Sequence, residues 1–427
     1  MKHPTAAILR EKLFDVIDRF PAVRIITVAV VLRLLFGIGW ALFVNAPPEN
    51  VPVAGETWYE AGADGYIQIA RTLLISGEYA FHPGAPPVHN RPPAQALLLL
   101  LFGAWLPSHW YMVWMFGSAL LSLLMLLGVR TLGRELGLSR RAERIALLLA
   151  GFHPYLIFIS KTTTFINLAA LLLVAVALAA LRIRRRPIAQ ASLTGLLCGV
   201  GALTHGIFLL LPLLIAPLTA SFRTLRLRTR LLAILLLVVI TATVVAPWTL
   251  RNMRTFDMAI PVVTGNGYHY WKGEAVYFGG DYPMADVYRR ATGKEFEEMY
   301  YGAVDPRADA VLWEEAKKDM LARPWRIPQR LAIGSLAFFA PWDSSYSKAV
   351  VSGILNLPLL LVLTLFSFQA IKRRSITREH MALIVLLAYI VAAFAFFVAW
   401  GSYFTMILPV ALTLAVSLWE RNAEHTE

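Results

Sequence analysis

Leu231-Leu-Ala-Ile-Leu-Leu-Leu-Val-Val-Ile-Thr-Ala-Thr-Val-Val-Ala-Pro247-Trp-Thr-Leu250 is a run of twenty uncharged residues, closed by Arg251. A helix of about 20 apolar residues is what a ~30 Å hydrocarbon core demands, because each backbone N–H and C=O must be satisfied inside the span. Ile25–Val44 and Ala382–Val398 have the same character. Hydrophobic residues make up 58% of the 427 and charged residues only 16%, a balance foreign to water-soluble domains of this size. The chain therefore reads as an all-α polytopic membrane protein, one integral membrane domain over 1–427. Crossings are expected near 22–44, 108–129, 143–158, 162–181, 188–205, 206–222, 231–250, 349–370, 380–399 and 402–419. Ala94–Leu106 and Arg330–Ala340 are about half a bilayer long and read as half-helices or as shoulders of the next span. The first apolar segment is too long for a signal-peptide core and reads as a signal anchor. A single cysteine, Cys198, excludes an internal disulfide and a zinc ribbon.

The net charge of +13 is distributed in a way that argues against nucleic acid. Basic residues gather in the short loops Arg130–Arg144, Arg182–Arg186, Arg223–Arg230 and Lys372–Arg378, and in the N-terminal segment with Lys2, Arg10, Lys12, Arg19 and Arg24. The positive-inside rule places these in the cytoplasm. The loop 45–93 carries five acids and two arginines, and Arg251–Pro328 carries twelve acids and eleven basic residues. Both are expected outside, the second as a large outer loop over 253–328. Within the first, Tyr66, Ile67, Ala70, Leu73 and Leu74 recur at helical spacing and predict an amphipathic helix along the membrane, ended near Gly77. The second contains Thr264-Gly-Asn-Gly-Tyr268 and a charged helix over Asp309–Leu321, stopped before Pro324.

Chemistry gathers on the outer side. Asp64 reads either as a general base for a hydroxyl or as the N-cap of the amphipathic helix, and the two roles are compatible. Arg91 is held extended by Pro92 while Pro93 suits a helix start, so its guanidinium is presented at the membrane surface to a phosphate, of a substrate or of an ordinary lipid headgroup. Arg251 ends its span on the outer side, against the positive-inside trend. Lys161, at an outer hinge after Pro154, is either a third phosphate contact or a snorkelling lysine. Six of the nine histidines (82, 89, 109, 153, 205 and 269) map to the outer half, none with the spacing of a helical metal pair; a hard cation bridging Asp64 and a phosphate is compatible with the sequence. Trp40, Trp58, Trp105, Trp110, Trp248, Trp271, Trp325, Trp342 and Trp400 lie near the outer face and Trp419 near the inner one. This fits an aromatic belt or an aromatic cavity that stacks a sugar. Mid-span positions are almost purely apolar, with Arg33 read near the inner end, which argues against a transporter with a polar path.

These stretches resemble the GT-C glycosyltransferases, in particular bacterial relatives of the dolichyl-phosphate-mannose–protein mannosyltransferases and the lipid A aminoarabinose transferase. The resemblance rests on Asp64-x-Tyr66 through Gly77-Glu-Tyr79 to Arg91-Pro-Pro93, on His153-Pro154 through Ser160, on Gly195 through Leu203-Thr-His205, and on Pro247-Trp-Thr-Leu-Arg251-Asn252 with Gly265-Asn-Gly267 and Trp271-x-Gly273. It covers most of residues 22–275. It implies a multi-helix bundle with amphipathic helices in the outer loops, and inverting transfer of a sugar from a polyprenyl-phosphate donor to an acceptor glycolipid, protein or polymer at the periplasmic face of the inner membrane. By resemblance, Asp64 is the base or a metal contact, and Arg91 and Arg251 contact the donor phosphate; Lys161 is a further candidate for the phosphate, and Tyr66, His205, Asn266 and Trp271 are candidates for substrate binding. Lys161-Thr-Thr-Thr164 stands where the family often has a Glu, and Gly401-Ser402-Tyr403 where it often has Arg-Tyr. A lipid or lipid-linked glycan transporter and a catalytically silent GT-C-like binder are the alternative readings.

Overall fold

The computed structural model describes residues 14, 16–43, 64–106, 110–220, 224–281, 283–297, 305–339, 346–373, 375–399 and 403–424. The expectations placed on Lys2, Arg10, Lys12, residues 45–63 with Trp58, His109, Arg223, Trp342, Trp400 and Gly401-Ser402 lie outside them. In chain order the helices are α1 (Ala22–Phe43), α2 (Tyr66–Ser76), α3 (Pro93–Leu101), α4 (Trp110–Glu135), α5 (Arg140–Phe152), α6 (Pro154–Ser160), α7 (Ile166–Arg182), α8 (Pro187–Ala202), a 3₁₀ turn Gly206–Leu210 running into α9 (Leu211–Ala220), and α10 (Leu227–Phe256). After these come α11 (Asn266–Phe278), α12 (Met284–Thr292), α13 (Pro306–Ala322), α14 (Arg326–Phe339), α15 (Tyr346–Lys372), α16 (Arg378–Phe396) and α17 (Phe404–Glu424). Among the described residues six helices are long and apolar enough to cross a membrane: α1, α4, α10, α15, α16 and α17. The other expected crossings are the pair α5–α6, bent by 51°, and the shorter apolar helices α7, α8 and Gly206–Leu218.

The bend between α5 and α6 has a local cause. Pro154 has no N–H to give the Ala150 carbonyl one turn back, and the Tyr155 N–H is taken by His153 Nδ1 at 3.3 Å. Arg33 supplies the missing donors, with Nη2 2.7 Å from Ala150 O and 3.2 Å from Gly151 O. This corrects the sequence reading of Arg33. It is buried half-way along α1, not near the inner end, and its charge is spent on a broken helix.

Helix α17 is the most enclosed of the spans, with 83% of its apolar window buried; it packs on α4, α5, α7, α15 and α16. Helices α8 and α10 approach through small residues. A Cβ on Gly195 would stand 2.7 Å from Leu237 O, and one on Gly199 2.6 Å from Val244 Cβ. Thr241 Oγ1 donates to Gly195 O at 3.0 Å across this contact. The Gly195-x3-Gly199 spacing is the small-residue device by which helices pack in lipid, where burial alone supplies little attraction.

The basic loops meet at one end of the bundle. Glu143 bridges Arg130 and Arg134, Glu135 bridges Arg182 and Arg185, Asp18 pairs with Arg141 and Arg144, and Ser139 N donates to Glu420 at 3.2 Å. Helices α2, α3 and α11–α13 form the opposite end. There α11 packs on α13 around Tyr268, Tyr270, Trp271, Leu312 and Ala316, and Arg330 ties this small core to the spans through Glu274, Tyr270 O, Phe396 O and Phe397 O.

Gly195→Leu is expected to force α8 from α10 and destabilise the protein by about 1–3 kcal/mol, read as a lowered unfolding midpoint in detergent. Gly39→Ala, where a Cβ meets nothing within 4 Å, is expected to leave the midpoint unchanged or slightly raised.

Candidate functional site

The first loop folds around two glycines. Helix α2 spans Tyr66–Ser76, as its spacing predicts, and Gly77 closes it in the left-handed region at φ 73°. Its N-cap is Gly65 at φ 72°, with no side-chain cap. Asp64 is therefore not the N-cap; the left-handed turn at Gly65, which glycine adopts freely, sets it one residue outside the helix. Arg91 Nε donates to Asp64 O at 2.9 Å, so the arginine holds the main chain of the acidic residue while its charge bears on the carboxyl. Burial pushes the Asp64 carboxyl above the ordinary range, and Arg91 opposes that push.

Arg91 is the electrostatic hub of this end. Its charge bears on Asp64, Tyr66, Tyr79, His205 and His269. Burial raises the phenols of Tyr66 and Tyr79, keeping both protonated. Phe165 stacks on His205 at 4.8 Å and meets Tyr66 edge-on at 6.4 Å, and Tyr403 stands 5.7 Å from His205. His269, on the first turn of α11, is held neutral; burial, with Lys272, Arg91 and His205 nearby, pushes it down to about 3. Nothing in its sequence spacing marks it as a site residue.

Arg251 belongs to the same loop in a different role. Helix α10 runs on through it to Phe256, beyond the expected end at Leu250. Its guanidinium donates to Val88 O at 3.0 Å, Asn252 Oδ1 at 2.9 Å and Tyr79 O at 3.5 Å, and lies 4.8 to 5.5 Å from the rings of Trp248, Phe256 and Tyr79. Tyr79 in turn donates to Arg91 O and Pro92 O at 3.1 and 3.0 Å. The order Arg251–Tyr79–Arg91 fastens the loop to a span. The second loop joins at His89, whose Nδ1 meets Thr264 Oγ1 and whose carbonyl accepts from Thr264 N at 3.3 Å.

The remaining candidates stand apart. Lys161 is buried, its Nζ 3.5 Å from the Trp40 ring centre and 4.6 Å from that of Phe158. The carbonyls of Ser160, Lys161, Thr162 and Thr163 are taken by Ser118, Tyr111, Trp114 and Gln95, so this unwound stretch is pinned from α4 and α3. Asn266 is exposed on the first residue of α11. The helix N-terminus there, which would otherwise suit an anion, is filled by Asp309, whose carboxylate accepts from Gly265 N and Tyr268 N at 2.8 and 2.9 Å. Trp271 is buried between α11 and α13 with its indole N–H on Leu312 O at 3.0 Å, a packing position. Among the described residues no three His, Cys, Asp or Glu side chains stand together to hold a metal ion.

No family model and no curated protein matches the sequence. Solved structures do. The Archaeoglobus fulgidus oligosaccharyltransferase in its apo form is similar with a TM-score of 0.55 at 16% identity, covering 93% of this chain and 50% of that one. The oligosaccharyltransferase AglB of the same organism, in complex with an inhibitory peptide and a dolichol-phosphate, gives a TM-score of 0.54 at 16% identity with the same coverage. The fold is one this chain shares with these oligosaccharyltransferases. ArnT from Cupriavidus metallidurans bound to undecaprenyl phosphate has a TM-score of 0.41 at 17% identity, covering 93% of this chain and 77% of that one. The chain spans about half the length of the oligosaccharyltransferases it matches. Within this bundle the Arg91 cluster lies where the two non-spanning loops meet the helix ends.

Arg251→Ala is expected to destabilise the fold by about 1–3 kcal/mol and to open residues 77–92 to protease, and Arg251→Lys is expected to restore little, since a point charge cannot serve several carbonyls from one plane. Acidification supplies a second check. Unfolded His269 takes a proton near pH 6.5, whereas folded His269 resists to about 3. Stability is therefore lost as the pH falls below about 6.5, and His269→Gln is expected to flatten that slope in unfolding midpoints measured from pH 7 to 4.

Proposed function

We propose that this protein is a membrane glycosyltransferase that moves a sugar from a polyprenyl-phosphate donor to an acceptor hydroxyl at the face opposite the basic loops. The charge asymmetry of the loops supports placing that face outside the cytoplasm, toward the periplasm or exterior. The observation that carries the reading is the Arg91 guanidinium fixed against Asp64 at the loop end of a GT-C bundle. The complex of AglB with a dolichol-phosphate supports a lipid-phosphate donor, and energy for transfer outside the cytoplasm must arrive on such a lipid.

In the proposed reaction the acceptor oxygen attacks the anomeric carbon from the face opposite the lipid phosphate. The bond from that carbon to the phosphate oxygen breaks, the polyprenyl phosphate leaves with the electron pair, and configuration inverts. Asp64 takes the acceptor proton. Burial raises its affinity for that proton, and the charge of Arg91 favours the ionised form that accepts it. The positive charge of Arg91 answers the negative charge growing on the phosphate. The protonated phenol of Tyr66 and the ring of His205 border the same space, and Arg251 and Tyr79 hold the loop so that Arg91 does not retreat.

With purified protein and a labelled polyprenyl-phosphate sugar, Asp64→Asn is expected to lower turnover by about 10²–10⁴-fold, the usual range for a lost general base, with donor binding retained. Arg91→Lys is expected to lower turnover by about 10²–10³-fold. Donor binding without turnover in the wild type would instead identify a silent binder. Passage of intact donor across vesicles would identify a transporter.

A further inference from the structure

The basic end of the bundle holds a second site. A cavity of about 940 Å³ opens between the last turns of α7 and α9 and the first turns of α10 and α16, within the range of small-ligand sites. Three alanines and a short, proline-bearing helix leave room for it among larger apolar residues such as Leu181, Leu214 and Leu386. Ala177 and Ala180 line it from α7 and Ala382 from α16, while α9 runs only from Leu211 to Ala220 and carries Pro217 inside it. Two charged groups border it, Arg230 in the first turn of α10 and Arg378 at the first position of α16, and no carboxylate is among its lining residues. Both arginines sit on helix N-termini, so the positive ends of two helix dipoles add to two guanidinium charges at the mouth of an apolar groove.

A ligand that matches this pattern has one anionic head and at least one hydrocarbon tail. We infer that the groove binds an anionic phospholipid of the leaflet next to the basic loops, with its phosphate on Arg230 and Arg378 and an acyl chain against Ala177, Ala180 and Ala382. The position of the charges selects this occupant over the sugar donor. The groove's arginines lie at the end of the bundle opposite Arg91. Between the two ends the Tyr389 hydroxyl donates to Ile207 O at 2.9 Å, and His205 meets Phe394 at 5.4 Å. A lipid with its phosphate at Arg91 cannot also place it at Arg378. The bound phospholipid fills the gap between α9 and α16 below the Tyr389–Ile207 bond, and so braces the helix pair that carries His205 at its other end. The inference needs only the membrane-spanning fold and is independent of the transferase reading.

The test uses full-length protein stripped of lipid in detergent and titrated with phosphatidylglycerol, phosphatidylcholine or polyprenyl phosphate, with the unfolding midpoint and the lipid retained in native mass spectrometry as readouts. Phosphatidylglycerol is expected to raise the midpoint by several degrees and to be retained, and phosphatidylcholine to do neither. The variant Arg230→Gln/Arg378→Gln is expected to weaken phosphatidylglycerol retention at least tenfold, and Ala382→Trp to abolish it with the charges intact. Should a variant fail to fold, photoactivatable phosphatidylglycerol on the wild type is expected to label peptides containing Ala177 or Ala382. Retention unchanged in both variants, label confined to other surfaces, or retention of polyprenyl phosphate alone would overturn the proposal.

Discussion

An arginine that cannot turn away from its neighbour is the constraint on which the outer end of this molecule depends. Pro92 holds Arg91 extended, Tyr79 donates to the carbonyls of both residues, and Arg251 closes the loop from the last turns of a thirty-residue helix. The Arg91 guanidinium then donates to the main-chain oxygens of Asp64 and Asn90, and acts electrostatically on a carboxyl, two phenols and two imidazoles. The imidazole of His269 on α11 is neutral at ordinary pH, so the cluster presents one firm positive charge amid groups that donate or accept without competing with it. On the proposed reading, that charge is the one that would meet a donor phosphate.

The spans were readable because lipid imposes a length and a composition that few other environments demand. The helix Tyr66–Ser76 and the charged helix of the second loop were readable from apolar spacing and from Gly77 and Pro324. What escaped reading depended on partners distant in the chain. Arg33 looked like an inner-end residue until the helix break at Pro154, more than a hundred residues later, left two carbonyls for it to satisfy. Asp64 fitted the composition of an N-cap, but a glycine after it took that place in a left-handed conformation. Arg251 was read as a phosphate contact, and its guanidinium is instead turned to carbonyls of the first loop. Trp271 looked like one of a ring of outer tryptophans, yet a tryptophan packed inside a small loop core and one lining a cavity have the same local sequence.

The two ends of the bundle divide the work by charge. At one end acidic residues are consumed in pairs with the excess of arginines, which leaves a positive surface for the neighbouring leaflet. At the other, two loops are knotted together by hydrogen bonds to main-chain oxygens, and Arg330 fixes the second loop to the junction of α16 with the last span. Gly273 makes that junction possible, since a Cβ there would fall 1.8 Å from Phe397 O.

The most direct measurement is an experimental structure of the protein with a non-transferable polyprenyl-phosphate sugar. The account predicts phosphate density within hydrogen-bonding distance of Arg91, with the sugar between it and Asp64. Phosphate density at Lys161 or elsewhere, with Arg91 still turned to the main chain of the first loop, would contradict it.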